Sequence, residues 1–275
     1  MTPQTLLAHA DSAQPWPGAF VANDGLSEGA SVGVGEGDAL AQAYQTALAV
    51  RSLRVARGEV PRGYKVGFTN RTIWERYQVF APIWGTVWNT TLSECTQPIA
   101  VHTFCEPRLE PETVFGMRAT PPSNASLQDL FDCIEWVAPG FEVVQSHRPG
   151  WKFTAPDTVA DGGLHGHLRL GQQRNVKDIA ANAEELAQRL SLAKVRLLKN
   201  GELVEQGQGA NVLGSPLHAL HHFLQTLRAC PGAPDLKAGD VITTGTWTDA
   251  YAVAADETWT AEFDAPLGAL RLSFT

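Results

Sequence analysis

The stretch RLEPETVFGM, Arg108 to Met117, carries Glu110 and Glu112 on either side of one proline, just ahead of the apolar pair Val114 and Phe115. Side chains alternate along extended chain, so both carboxylates fall on one face of a strand about to enter a core. Carboxylates side by side repel each other and resist burial. A hard divalent cation removes both costs, because magnesium and ions like it take oxygen ligands and keep part of their shell for water or substrate. A solvated edge strand carries the same spacing with nothing bound. A third carboxylate favours the cation, and Glu142 is the candidate, a lone acid in the apolar run GFEVV. A glutamate facing solvent from a half-buried strand accounts for it nearly as well.

Lys65 poses the same question with opposite sign. It sits between a tyrosine and a valine in GYKVGFTN, bracketed by glycines that permit close backbone approach to a ligand. A lysine there binds a carboxylate or donates a proton; on the exposed face of an edge strand it does neither. Asp161 precedes His165 and His167, whose alternation puts two imidazoles on one strand face, either for a metal or proton transfer or merely exposed. His218, His221 and His222 read as surface or interface residues of a helix, since no HExxH glutamate accompanies them. Neither a P-loop nor a Ser-His-Asp pattern is present. Gly33 and Gly35 open like a dinucleotide loop, but no strand precedes them.

The elements that must hold these groups can be read from periodicity. Residues 1–37 show no clear period and read as an irregular arm with room for one short helix. Asp38 reads as the cap of a helix with Leu40, Tyr44, Ala47, Leu48, Arg51 and Val55 on its apolar stripe and Gly58 as its end. GYKVGFTN reads as a strand. Ser126 opens a helix carrying Leu127, Leu130, Phe131 and Ile134, with Pro139-Gly140 as its stop and Phe141–Val144 as a short strand. Asn175 to Leu190 reads as one amphipathic helix, and VRLLKNGELVEQG as a hairpin turning on Asn200-Gly201. Ser215-Pro216 starts a helix to about Ala229, and KAGDVITTGT and LGALRLSF close the chain as strands.

Composition bounds the rest. The 275 residues are 44% hydrophobic with eight tryptophans, enough for a sizeable core. A net charge of −8 without a Lys/Arg cluster argues against nucleic acid and against an anionic membrane surface. No run approaches the roughly 18 apolar residues of a membrane helix. The N-terminus lacks the basic start and apolar stretch of a secretory signal. Cys95, Cys105, Cys133 and Cys230 are scattered and without CxxC spacing, as expected of reduced thiols in a cytoplasmic protein.

Taken in order, GYKVGFTN, RLEPETVF, FEVVQSHRPGWKFTAPDTVADGG, GQGANVLGSPLHAL, LKAGDVITTGT and LGALRLSF resemble the 2-keto-4-pentenoate hydratase and 4-oxalocrotonate decarboxylase family of the fumarylacetoacetate-hydrolase-like superfamily, from about residue 38 onward. The resemblance implies an α+β fold: a mixed β-roll with inserted helices over 63–275, preceded by an arm and helix over 1–62. It implies a Mg2+ or Mn2+ ion held by Glu110, Glu112 and Glu142, with Lys65 and Asp161 catalytic and Thr69, Thr244 and Gly245 binding substrate. It implies a small-molecule 2-oxo acid substrate in aromatic or related catabolism, and a homo-oligomer or a complex with a related enzyme of the same pathway.

The departures fall on the half of the site that distinguishes reactions. Residues 78–85, QVFAPIWG, lack the acids that the family's hydratases carry there. Asp161-Gly162-Gly163-Leu164 replaces a D-N-A-S segment, and QSHR stands where the family tends to have D-S-R. The resemblance therefore implies a lyase on a 2-oxo acid or its dienol, with hydration of 2-hydroxypenta-2,4-dienoate, 4-oxalocrotonate-type decarboxylation and C–C hydrolysis all open. Hydrolysis needs a water-activating base, and no counterpart of the His–Glu pair of related hydrolases stands out in the sequence. An inactive partner subunit that binds metal and ligand is the non-enzyme alternative.

Overall fold

The computed structural model describes residues 1–20, 36–77, 80–94 and 97–275. Most of the run GASVGVGEG, the Gln78-Val79 end of the rebuilt segment, and Cys95 lie outside them.

Helix α1 (Pro3–Ser12) is capped by Thr2, and α2 (Glu36–Ala56) is the longest helix described. Strand β1 (Pro61–Gly67), the single turn α3 (Trp74–Tyr77), β2 (Ile83–Trp88) and β3 (Leu92–Ser93) follow. Next come β4 (Arg108–Met117), α4 (Leu127–Asp132), β5 (Ile134–Val144), α5 (Ala155–Ala160), β6 (His165–Leu170) and β7 (Arg174–Asn175). The remainder is α6 (Val176–Ile179), α7 (Ala183–Leu192), β8 (Lys194–Lys199), β9 (Glu202–Gln208), α8 (Pro216–Ala229), β10 (Val241–Thr246), β11 (Tyr251–Ala252), β12 (Thr258–Phe263) and β13 (Ala269–Ser273).

The larger sheet runs β2-β1-β10-β4-β5-β6-β3, with β11 beside β4 and β7 beside β5; a smaller sheet runs β13-β12-β8-β9. β4 and β5 are central and buried along nearly their whole length, so both read as mostly apolar runs that carry the acids. The main core joins Phe115, Phe141 and Leu109 of these strands to Leu186 and Leu190 of α7 and Phe223 and Leu220 of α8. A second cluster joins Leu6, Trp16, Phe20 and Ala43 to Ile83 of β2 and Ala155, Val159 and Ala160 of α5.

Four expectations are corrected. α2 starts at Glu36, so Asp38 lies inside the helix; Ala43 is its fully buried residue, while Val55 is 44% exposed. α4 opens on Ser126 as expected, through a capping box with Asp129, but ends at Asp132; Ile134 already belongs to β5, and Pro139-Gly140 lies within that strand. The proline is tolerated because β5 changes neighbours there, pairing Gly140 with Leu170 of β6 and Val137 with Arg174 of β7. The 175–190 helix is two helices. Asn182 caps α7 by accepting from the Glu185 amide, and the Glu185 carboxylate accepts from the Ala181 amide, so the chain breaks between them. Finally, Ser215 stands at the cap of α8 and accepts from the Ala219 amide through its backbone carbonyl, but its side chain makes no cap bond, and its hydroxyl is buried and unpartnered.

The β8–β9 hairpin forms as expected, with Asn200 and Gly201 at φ 53° and 86°. Cys105, Cys133 and Cys230 are free thiols.

Candidate active site

The register of the two central strands builds the acidic cluster. Glu110 of β4 lies opposite Glu142 of β5, and Glu112 lies opposite Gly140, whose missing side chain makes way for Val114. One oxygen from each of Glu110, Glu112 and Glu142 falls within 4.8 Å of the others, and Glu112 and Glu142 are fully buried. Lys65 of β1, itself 3% exposed, brings its Nζ to 3.3 Å from Glu142 Oε2, within ion-pair reach but not aligned as a hydrogen bond.

Each acid is held differently. Glu112 Oε2 accepts from the Thr244 and Gly245 amides at 3.0 and 2.6 Å, whereas its Oε1 is buried and unpartnered. These amides converge because Gly245 turns at φ 101°, and a Cβ on it would lie 1.8 Å from Thr69 Oγ1. Thr244 and Gly245, expected to meet substrate, here orient Glu112, and Thr69 packs against the Gly245 turn. Glu142 Oε1 faces His165 Nδ1 at 2.9 Å, and His165 Nε2 faces Thr91 Oγ1 at 2.8 Å. His167 faces Ser93 at 2.7 Å. Both histidines are half-buried and hydrogen-bonded, to Thr91 just before β3 and to Ser93 within it.

The electrostatics are those of an incomplete charge set. Burial pushes Glu110 up to about 7, helped by Glu142 and opposed by Lys65. Burial and the neighbouring Glu142 and Glu110 raise Glu112 well above the usual carboxylate range. Burial acts the same way on Glu142, but Lys65 and His165 outweigh it and hold that carboxyl low. Burial works against charge on Lys65, yet Glu142, Glu110 and Glu112 together keep its pKa above the ordinary value. Three carboxylates and one ammonium leave a deficit of two positive charges, and two carboxylate oxygens lack hydrogen-bond partners. An all-oxygen donor set with that deficit fits one hard divalent cation.

Glycines close the space around Lys65. Lys65 lies opposite Gly85 in the β1–β2 pairing. A Cβ on Gly85 would lie 1.7 Å from the Gly162 carbonyl oxygen, and one on Gly163 would lie 2.9 Å from Lys65 Cδ. The Asp161-Gly162-Gly163 departure thus answers to packing. Gly85→Ala is expected to displace residues 162–163 and cost about 1–3 kcal/mol, as overpacking does. Chemical denaturation and turnover read it together; unchanged values in both would show that the contact yields freely.

Asp161 takes a partner that sequence reasoning did not foresee. Its Oδ2 accepts from the His147 amide at 3.0 Å, and its Oδ1 lies 2.6 Å from His147 Nδ1. Burial raises the Asp161 carboxyl, although His147 opposes this. The available signal was the QSHR departure, but nothing in it foretold the pairing across 14 residues.

The chain is 29% identical over 236 residues to 2-hydroxyhexa-2,4-dienoate hydratase of Comamonas testosteroni, covering 85% of each chain. It is 30% identical over 228 residues to 2-keto-4-pentenoate hydratase of Burkholderia vietnamiensis, covering 81% of each. The structure superposes with TM-score 0.83 on 4-oxalocrotonate decarboxylase from Pseudomonas putida G7 complexed with magnesium and adipate, at 25% identity over 100% of this chain and 99% of that one. Residues 59–274 match the family model described as fumarylacetoacetate (FAA) hydrolase C-terminal, and the chain belongs to that family.

Proposed function

We propose that this protein is a divalent-metal-dependent lyase acting on a 2-oxo acid or its dienol in the catabolism of aromatic compounds, of the hydratase or decarboxylase type. The observation that carries the reading is the buried cluster Glu110, Glu112 and Glu142 with Lys65 beside it, at the centre of a fold whose relatives bear hydratase and decarboxylase names. Glu110, Glu112 and Glu142 would hold Mg2+ or Mn2+. When bound, that ion supplies Lewis-acid polarisation of a 2-oxo acid's carbonyl and carboxylate.

The chain's own groups supply the rest. Gly245 and Thr244 keep Glu112 in one orientation, so its second oxygen is presented without reorganisation. His165 does the same for Glu142. Lys65 is buried and cationic, so it can hold the substrate carboxylate or deliver a proton to a carbon of the enol form. The surrounding glycine backbone excludes water from its stem. Asp161, held by His147, stands at the end of α5 beside these glycines and is proposed to orient substrate or act as base.

A spectrophotometric assay with 2-hydroxypenta-2,4-dienoate and 2-oxo-3-hexenedioate, with and without a chelator, tests this. Turnover of one substrate that stops with chelator and returns with magnesium is expected. Full activity in chelator removes the metal from the reading, and no turnover of either substrate removes hydration and decarboxylation, leaving C–C hydrolysis or a binding role.

A further inference from the structure

His147 and Trp16 form a feature that the metal cluster does not use. Their rings stack with centroids 6.1 Å apart and planes 16° from parallel. The Trp16 amide donates to the His147 carbonyl at 2.6 Å, so the end of α1 is fastened to the segment after β5. His147 is 1% exposed and Trp16 is 3% exposed. Both nevertheless carry a buried ring nitrogen without a partner, His147 Nε2 and Trp16 Nε1. Leaving such groups unpaired costs free energy comparable to a lost hydrogen bond, so two together point to something that meets them.

Both residues line a cavity of about 300 Å3. Its wall mixes apolar side chains such as Leu6 and Trp84 with polar ones, and it also includes His165, the residue that holds Glu142. A volume of that order is at the lower end for small-molecule sites, whose usual build is an apolar body with a few polar groups. The lining polar groups are mixed, Asp11 and Asp161 beside Arg51 and Arg54, and the unpartnered ring nitrogens of Trp16 and His147 are among them. An indole nitrogen only donates, and a ring nitrogen of histidine that carries its hydrogen donates as well. Asp161 holds the ring in place through the His147 amide and Nδ1, at 3.0 and 2.6 Å.

We propose that the Trp16–His147 pair, with His147 positioned by Asp161, is a carboxylate-binding subsite in this cavity. It would take the acid group of a small, apolar-bodied organic acid. That the acid is the far end of the substrate rests on the function proposed above and on the shared His165 wall; a separate organic acid would satisfy the same chemistry.

Calorimetric titration of the magnesium-loaded full chain with adipate, hexanoate and oxalate tests the subsite. His147→Phe keeps the stack and removes the nitrogen, and is expected to weaken adipate or hexanoate by about tenfold or more. Trp16→Phe should weaken it less. His147→Gln, which restores an N–H donor, should recover most of the affinity, and thermal unfolding shows that the variants are folded. Oxalate, too short to span both places, should bind all variants alike. Displacement of oxalate by adipate identifies the far end of a metal-held acid, while hexanoate binding alongside oxalate identifies a separate one. Equal binding of adipate and hexanoate by wild type and His147→Phe, or no binding of either to the wild type, overturns the proposal. Because neither outcome depends on turnover, the subsite and the lyase reading can fail separately.

Discussion

Glu110→Gln is expected to lose magnesium and turnover together. A neutral amide keeps the shape of the side chain and removes one of the three negative charges that offset the cation. Loss of partners around metal ligands already costs about 10–100-fold in affinity, so loss of a ligand's own charge is expected to exceed that range. Polarisation by a bound cation is worth several kcal/mol of transition-state stabilisation. At about 1.4 kcal/mol per decade, turnover should fall by about a thousandfold or more. Glu94→Gln is the control. Glu94 is exposed and accepts from Gln173 Nε2 at 2.8 Å, next to β3, which β5 and β6 separate from β4. Calorimetric magnesium titration and steady-state kinetics on both variants decide the matter. Equal losses in the two would mark a general loss of structure and not ligation.

Lys65→Met should separate binding from proton transfer. The thioether keeps the stem length and its packing against Gly163, and removes the charge and the donors. If Lys65 holds the substrate carboxylate, KM should rise with kcat little changed; if it transfers a proton, kcat should fall at saturating substrate. Either loss is expected at about a hundredfold, the usual scale for one positioned acid–base or charged contact. Magnesium should still bind, because the three carboxylates are untouched. Wild-type turnover and oxalate affinity in Lys65→Met would remove the residue from the mechanism.

These tests rest on residues that the sequence and the structure identified in different ways. Glu110 and Glu112 were legible because strand alternation is local, and two acids one residue apart must share a face. The β8–β9 hairpin was legible for the same kind of reason, since Asn-Gly supplies positive φ where a two-residue turn requires it. The start of α4 was legible from its serine cap. Its end was not. Ile134 continues a helical stripe as well as it begins a strand, and only pairing of β5 with β4 along ten positions selects the strand. Pro139-Gly140 looked like a stop because a lone sequence does not show that the neighbouring strand changes there.

By itself, then, the sequence determined which residue types were available for chemistry and where short-range geometry placed them: the acid pair on β4, the lysine between glycines, and the order of motifs that identifies the family. Tertiary structure alone decided the partnerships. Glu142 faces the acid pair because β4 and β5 share one register, and a shift of one residue would have turned it to the opposite side of the sheet. Lys65 is buried beside Glu142 because β1 is carried next to β10, which itself lies against β4. Asp161 turns to His147 and Glu142 to His165 because the end of β5, the end of α5 and the start of β6 meet. Such contacts depend on long-range packing, and no spacing along the chain encodes the distance between two strands.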